Sequence, residues 1–195
     1  MKKIFFLLFT AIFIHSASFA QVKTVSNVSL INAIDKSEIA LSSFSAKKGI
    51  VVIFTSNYCP FSKLYEDRIN DLANKYASQG IQMVLINSNS PDDNPAESIE
   101  EMAEKVRSSS FSFPYLSDKE RKALDIFKAS KTPEAFLLKP SANGFNVIYS
   151  GAIDDNPQVA NQVREQYLAG AIDALLGNRA PARPYVRPVG CIIKN

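Results

Sequence analysis

Gly49-Ile50-Val51-Val52-Ile53-Phe54 is the stretch that most limits the fold of this chain. It is continuously apolar and rich in β-branched side chains, so it reads as a strand that must be covered on both faces. Pro60 follows shortly and suits the first turn of a helix, where its missing N–H is no loss. Between them stands Cys59. A thiol where a buried strand turns into a helix is well placed to be a nucleophile. It is equally suited to be a small buried apolar residue.

The pattern continues as alternating strands and helices. Leu64, Ile69, Leu72, Ala73 and Tyr76 recur at near-helical spacing after Pro60, and Gly80 closes that helix. Ile81 to Ile86 reads as a second buried strand, Asn87 to Pro95 as a polar loop, and Ala96 to Arg107 as a helix. Phe113-Pro114-Tyr115-Leu116 is a short extended piece, and Lys119 to Ala129 a helix with Leu124 and Phe127 inward. Glu134 to Leu138 and Phe145 to Tyr149 flank Ser141-Ala142-Asn143-Gly144 as a β-hairpin. Gln158 to Leu176 is expected to be the last helix, with Gly177 as its cap. Phe54, Phe61, Phe111 and Phe113 are assigned to the core, with Phe61 near enough to the thiol to shape a groove. The order of elements predicts an α/β domain with three layers and a mixed central sheet.

Residues 1–20 have the build of an export signal. Lys2 and Lys3 are followed by an apolar run from Ile4 to Ile14, and then by Ser18-Phe19-Ala20. The apolar run is too short to span a bilayer comfortably, so cleavage near Gln21 is expected, with no stable membrane insertion afterwards. About 175 residues then remain, enough for one compact domain with a proper core. The expected division is a signal at 1–20, the α/β domain at 21–178, and a proline-rich tail at 179–195 that carries Cys191. The destination would be periplasmic or secreted, where a disulfide persists.

Composition excludes several chemistries. Leaving out Lys2 and Lys3, 20 of the 22 basic residues face 19 acidic ones, a near balance that argues against nucleic acid as a partner. His15, the single histidine, falls within the signal. A histidine-assisted triad therefore cannot be built, and with two cysteines no zinc or iron–sulfur site is expected. No metal and no cofactor are assigned. Any activation of Cys59 must come from backbone dipoles, Lys or Arg; Lys63, one turn on, is better read as solvated.

Pro181, Pro184 and Pro188 keep the tail extended. It ends in Val189-Gly190-Cys191-Ile192-Ile193, an apolar patch costly to leave in water. The stretch from Gly177 to Cys191 spans roughly 43 Å as polyproline II at about 3.1 Å per residue. Such a domain has a radius of gyration of about 16 Å. Reach is therefore not what limits contact with Cys59.

Six short stretches stand in order along the chain: Asn57-Tyr58-Cys59-Pro60, Tyr65-Glu66-Asp67-Arg68, Phe113 to Asp118, Thr132-Pro133-Glu134, Gly151 to Asn156 and Gly190 to Lys194. Together they resemble the thioredoxin fold, and within it the peroxiredoxin-like redoxins allied to the alkyl hydroperoxide reductase and thiol-specific antioxidant family. The resemblance implies a three-layer α/β/α sandwich and a cis Thr132-Pro133 bond beside Cys59, its backbone lining the substrate groove. It also implies thiol-disulfide or antioxidant chemistry at Cys59. The substrates would be protein or low-molecular-weight thiols and disulfides, or peroxides.

The chain departs from the pattern in two places. Ser62 stands where a thioredoxin-type site has its second cysteine, and Val52 where a peroxiredoxin has a proline; Ser56 keeps the Thr or Ser three positions before the thiol. Ser62 is a candidate hydrogen-bond donor to the Cys59 sulfur. Cys191 becomes the candidate resolving cysteine, attacking a sulfenic acid or mixed disulfide on Cys59. The alternative is a permanent Cys59–Cys191 staple in a redox-inert thioredoxin-fold module that binds a partner peptide along the Thr132-Pro133 edge. Glu66 and Asp67 would serve as proton acceptors only if buried. Asp154-Asp155-Asn156 reads as a turn and N-cap for the last helix rather than a metal cluster.

Overall fold

The computed structural model describes residues 23–194; the expected export signal at 1–20 lies outside the described residues. In chain order the elements are strands β1 (Thr24–Val25), β2 (Ser29–Asn32), β3 (Glu38–Ala40) and β4 (Gly49–Phe54), helix α1 (Pro60–Ala77), β5 (Ile81–Asn87), α2 (Ile99–Ser108), β6 (Tyr115–Ser117), α3 (Lys122–Phe127), β7 (Lys131–Thr132), β8 (Glu134–Ser141), β9 (Gly144–Gly151), α4 (Tyr167–Leu176), β10 (Tyr185–Val186) and β11 (Cys191–Ile192). The main sheet runs β1-β9-β8-β4-β5-β6-β2-β3, with β10 also on β9. β4 pairs parallel with β5 and antiparallel with β8, so the sheet is mixed, as its sequence pattern predicts.

β4 is buried at every residue because its two faces feed two separate cores. Val51 and Ile53 join Tyr65, Ile69 and Tyr76 of α1 and Leu168 and Ile172 of α4. Ile50, Val52 and Phe54 join Leu124 and Phe127 of α3, with Phe136 and Ile193. β5 and β8 divide their side chains the same way. Helices therefore cover both faces of the sheet, and the carboxyl end of β4, where Cys59 begins α1, is held from both sides. α1 ends at Ala77 with Ser78 as its C-cap, and Gly80, at φ +92°, is not the cap but turns the chain into β5 in a conformation that other residues rarely adopt.

Several helices are shorter than their sequence predicts. α4 starts at Tyr167 rather than Gln158, because Asn156 accepts from the amides of Gln158 and Val159, and Asp155 from that of Arg164, closing a loop first. The stretch is polar and presents no stripe to bury; even Val159 is exposed. α2 begins at Ile99 with Ser98 as N-cap, after a tight turn over Pro95–Glu97. α3 is bounded by Arg121 and Lys128, both in the left-handed region, and is started by Asp118, which accepts from the amides of Ala123 and Leu124. Leu64 faces solvent, Phe61 and Phe111 are half-buried, and Phe54 and Phe113 lie in the core. Among the described residues no helix is long and apolar enough to cross a membrane.

Candidate functional site

Cys59 occupies the N-cap position of α1, with Pro60 opening the helix. The strand-to-helix loop is tied down one donor at a time. The Thr55 amide donates to the Ile86 carbonyl (2.8 Å). The Ser56 hydroxyl accepts from the amides of Tyr58 (3.1 Å) and Cys59 (2.9 Å), and donates its own proton to Glu97 (2.5 Å). Glu97, only 5% exposed, also accepts from the amides of Asn57 (3.0 Å) and Tyr58 (3.2 Å) and from the Asn87 side chain (2.7 Å). Asn57 is fixed in turn: it donates to the Ala96 carbonyl and accepts from the Tyr115 hydroxyl. Burial, followed by the charges of Glu97 and Glu66, pushes the Tyr115 phenol well above its ordinary range, so it stays a neutral donor.

On the facing side, Thr132-Pro133 is a cis peptide. Its approach is held by Glu134, whose carboxylate accepts from the amides of Ser130 (2.7 Å) and Lys131 (3.1 Å). β11 then pairs antiparallel with β7, placing Cys191 opposite Thr132. Cys59 and Cys191 form a disulfide, with a Cα–Cα distance of 6.0 Å. The Cys59 sulfur lies 3.2 Å from the Thr132 carbonyl oxygen. Gly190 is required at this crossing, since a Cβ there would stand 2.2 Å from that same oxygen. Ile193 donates its amide to Ser130 and buries its side chain in the α3-side core.

The sequence candidates are thus gathered in one place: Cys59, Pro60, Ser56, Thr132, Pro133 and Cys191 surround the disulfide. Ser62, 1% exposed, sits one turn into α1 with its hydroxyl unpaired. A groove of about 240 Å³ beside the disulfide is lined by Tyr58, Asp93, Glu97, Thr132, Ile192 and Lys194 among others. Tyr58 and Ile192 flank it as exposed apolar side chains.

The acidic candidates fall elsewhere. Glu66 pairs with Lys105, Asp67 is exposed, and both line a different cavity between α1 and α2. Asp154 is not the N-cap of α4. It is buried and accepts from the Tyr65 hydroxyl (2.7 Å) and the Arg68 guanidinium (2.7 Å), clamping the β9–α4 connection to α1. Among the described residues no cluster of His, Cys, Asp or Glu is disposed to hold a metal ion. Glu97 is the site residue that sequence reasoning missed. Pro95 and Ser98 mark a turn and a cap around it, but nothing local marks its burial.

A cysteine at the head of a helix, facing a cis-proline loop across the end of a mixed sheet, defines a thioredoxin-like α/β/α protein. The chain belongs to the AhpC/TSA family, whose sequence pattern matches residues 23–147. The tail with Cys191 lies beyond that match. No curated protein matches the chain closely enough to indicate kinship. An uncharacterized conserved protein from Geobacillus kaustophilus is 29% identical, with a TM-score of 0.82 over 89% of this chain and 91% of that one. A hypothetical protein from Sinorhizobium meliloti 1021 is 30% identical, with a TM-score of 0.81 over 91% and 95%. A thiol:disulfide interchange protein of the thioredoxin family from Chlorobium tepidum TLS shares the fold alone, at 16% identity and a TM-score of 0.54 over 67% and 87%.

Proposed function

We propose that this chain is an exported thiol-disulfide oxidoreductase that acts through Cys59, with Cys191 as its resolving cysteine. The observation that carries this reading is the Cys59–Cys191 disulfide at the head of α1, against the cis-proline loop. In the reduced state the Cys59 thiolate attacks a substrate disulfide, forming a mixed disulfide and releasing one substrate thiolate. Cys191 then attacks the Cys59 sulfur, releasing the second substrate thiolate and closing the internal bridge. The substrate gains two electrons, and a dithiol reductant must return them to the protein.

The helix N-terminus favours the thiolate at Cys59. Ser62 supports the same step, because its buried, unpaired hydroxyl stands at the helix position that faces an N-cap side chain. Disulfide exchange is favoured over peroxide reduction. The Ser56 hydroxyl donates to Glu97 and the Cys59 amide donates to Ser56, so neither is free to hold a peroxide oxygen. In this reading residues 1–20 direct export, 21–178 form the redox domain, and the tail from 179 delivers Cys191.

The Cys191→Ser variant tests the reading. After reduction and exposure to peptide disulfides, it is expected to accumulate a covalent adduct on Cys59; no adduct with any disulfide or peroxide sinks the enzyme. One observation favours the rival, a structural staple in a redox-inert binding module: Cys59 is only 2% exposed. A reduction potential for the pair below about −300 mV would mark a structural bridge and sink the resolving role.

A further inference from the structure

Glu97 accepts four hydrogen bonds at the head of α1. Each group bound to it is a donor: the Ser56 hydroxyl, the Asn57 and Tyr58 amides and the Asn87 amide. The first three come from the strand-to-helix loop, whose Cys59 amide is taken up by Ser56, and the fourth comes from the end of β5. An empty loop of this kind is a cradle for an anion. Here the cradle is filled from within by a buried carboxylate, one hydroxyl away from the amide of the cysteine.

We propose that Glu97 is a positioning residue for Cys59: it fills the donor cradle of the Ser56–Cys59 loop and its charge holds back ionisation of the thiol. The preference for disulfides over peroxides that follows from the filled cradle rests on the redox reading above; the effect on ionisation does not. A like charge in a shielded setting disfavours the thiolate, whereas the head of α1 favours it. The other charges nearby act more weakly because of where they stand. Lys63 on α1 is exposed, Asp93 and Lys194 stand at the open groove, Thr132 on β7 is uncharged, and Tyr115 on β6 stays neutral. Glu134 on β8 is equally buried, but its carboxylate is spent on the Ser130 and Lys131 amides behind Thr132. Glu97 is the buried carboxylate joined through Ser56 to the amide of Cys59 itself.

The test measures the pH dependence of Cys59 alkylation by iodoacetamide in the Cys191→Ser chain, where Cys59 is the sole thiol. Adding Glu97→Gln is expected to lower the midpoint by about one pH unit, a rise of up to about tenfold in rate below it. Adding Glu97→Asp, which keeps the charge and shortens the side chain, is expected to leave the midpoint near its starting value. Equal shifts in both, or a shift in neither, overturn the proposal, because a purely structural anchor does not distinguish charge. Should Glu97→Gln not fold, a carbon-13 titration of the Glu97 carboxyl in the reduced wild-type chain decides. An inflection coinciding with Cys59 ionisation supports the coupling, and its absence overturns it. Neither measurement needs turnover. An unshifted midpoint in a chain that still exchanges disulfides sinks Glu97 alone, and a shifted midpoint in a chain that exchanges none sinks the redox reading alone.

Discussion

The two sulfurs of the bridge belong to regions held in different ways. Cys59 follows a strand buried at every residue, and its loop is tied down through Ser56, Glu97 and the Ile86 and Ala96 carbonyls. Cys191 rides on a tail that touches the domain at separated points: β10 beside β9, Gly190 beneath Thr132, and Ile193 in the α3-side core. Along the tail Tyr185, Val189 and Ile192 are exposed. One thiol is fixed by continuous packing and the other by a few anchors, so opening the bridge frees the tail before it disturbs the strand. Reduction should act on this protein mainly through its last fifteen or so residues, whose few contacts set the lower local stability.

The largest effect that could break this picture comes from removing the bridge. It spans a sequence separation of 132 residues. A loop of that order restricts the unfolded chain by about 5 kcal/mol on the chain-entropy account. Cys59→Ser and Cys191→Ser are each expected to lose about that much against the oxidised wild type in urea unfolding. Similar losses in the two variants fit an effect on the unfolded chain. A loss in Cys59→Ser much greater than in Cys191→Ser would mean that the head of α1 also depends on the bridge for its own folded geometry.

The next effect sharpens the role of the tail anchors. Ile193→Ala removes a side chain 5% exposed from the cluster around Phe127 and Phe136 and is expected to cost about 3 kcal/mol. In the reduced protein it should also slow closure of the bridge about tenfold, because Cys191 is no longer parked at Thr132 and effective concentration falls. Stopped-flow reoxidation with an excess of oxidised glutathione reads that rate. Unchanged closure would show that β11 holds the tail without Ile193, and Gly190→Ala, which drives a Cβ into the Thr132 carbonyl, would then be the variant that slows it.

The same contrast explains what was legible in the sequence. β4, β5, the hairpin and the head of α1 announce themselves through runs and breakers that act over a few residues, and the fold follows from them. Cys59 and Pro60 are legible for that reason, and the pairing with Cys191 became a candidate because only two cysteines exist. Glu97 is different. It falls at the start of the helix expected over Ala96 to Arg107, and its burial is created by Ser56, Asn57 and Asn87, ten to forty-one positions away. Asp154 likewise looks like a cap until Tyr65 and Arg68 arrive from α1. Long-range partners decide these residues, and no local pattern encodes them. The helix ends depart from the sequence pattern for a related reason: Asp118 and Asn156 commit their side chains to particular turns that composition does not reveal.

The smallest effect probes how the rigid region keeps its phenols neutral. Burial and the neighbouring Asp154 carboxylate push the Tyr65 hydroxyl well above its ordinary value of 10.0, while the unfolded chain titrates near that value. Above pH 10 the unfolded state therefore loses a proton that the folded state still holds. The stability tied to Tyr65 is fully present below about pH 10 and drains as pH rises past it. Tyr65→Phe removes that dependence together with one hydrogen bond to Asp154. The variant is expected to be less stable than wild type at neutral pH by about 1 kcal/mol. Between pH 9 and 11 the wild type should then lose about 1 kcal/mol more than the variant, so that the two urea-unfolding midpoints converge. Parallel alkaline profiles would show that Tyr65 titrates freely, and the clamp between α1 and the β9–α4 connection would then be as open as the tail.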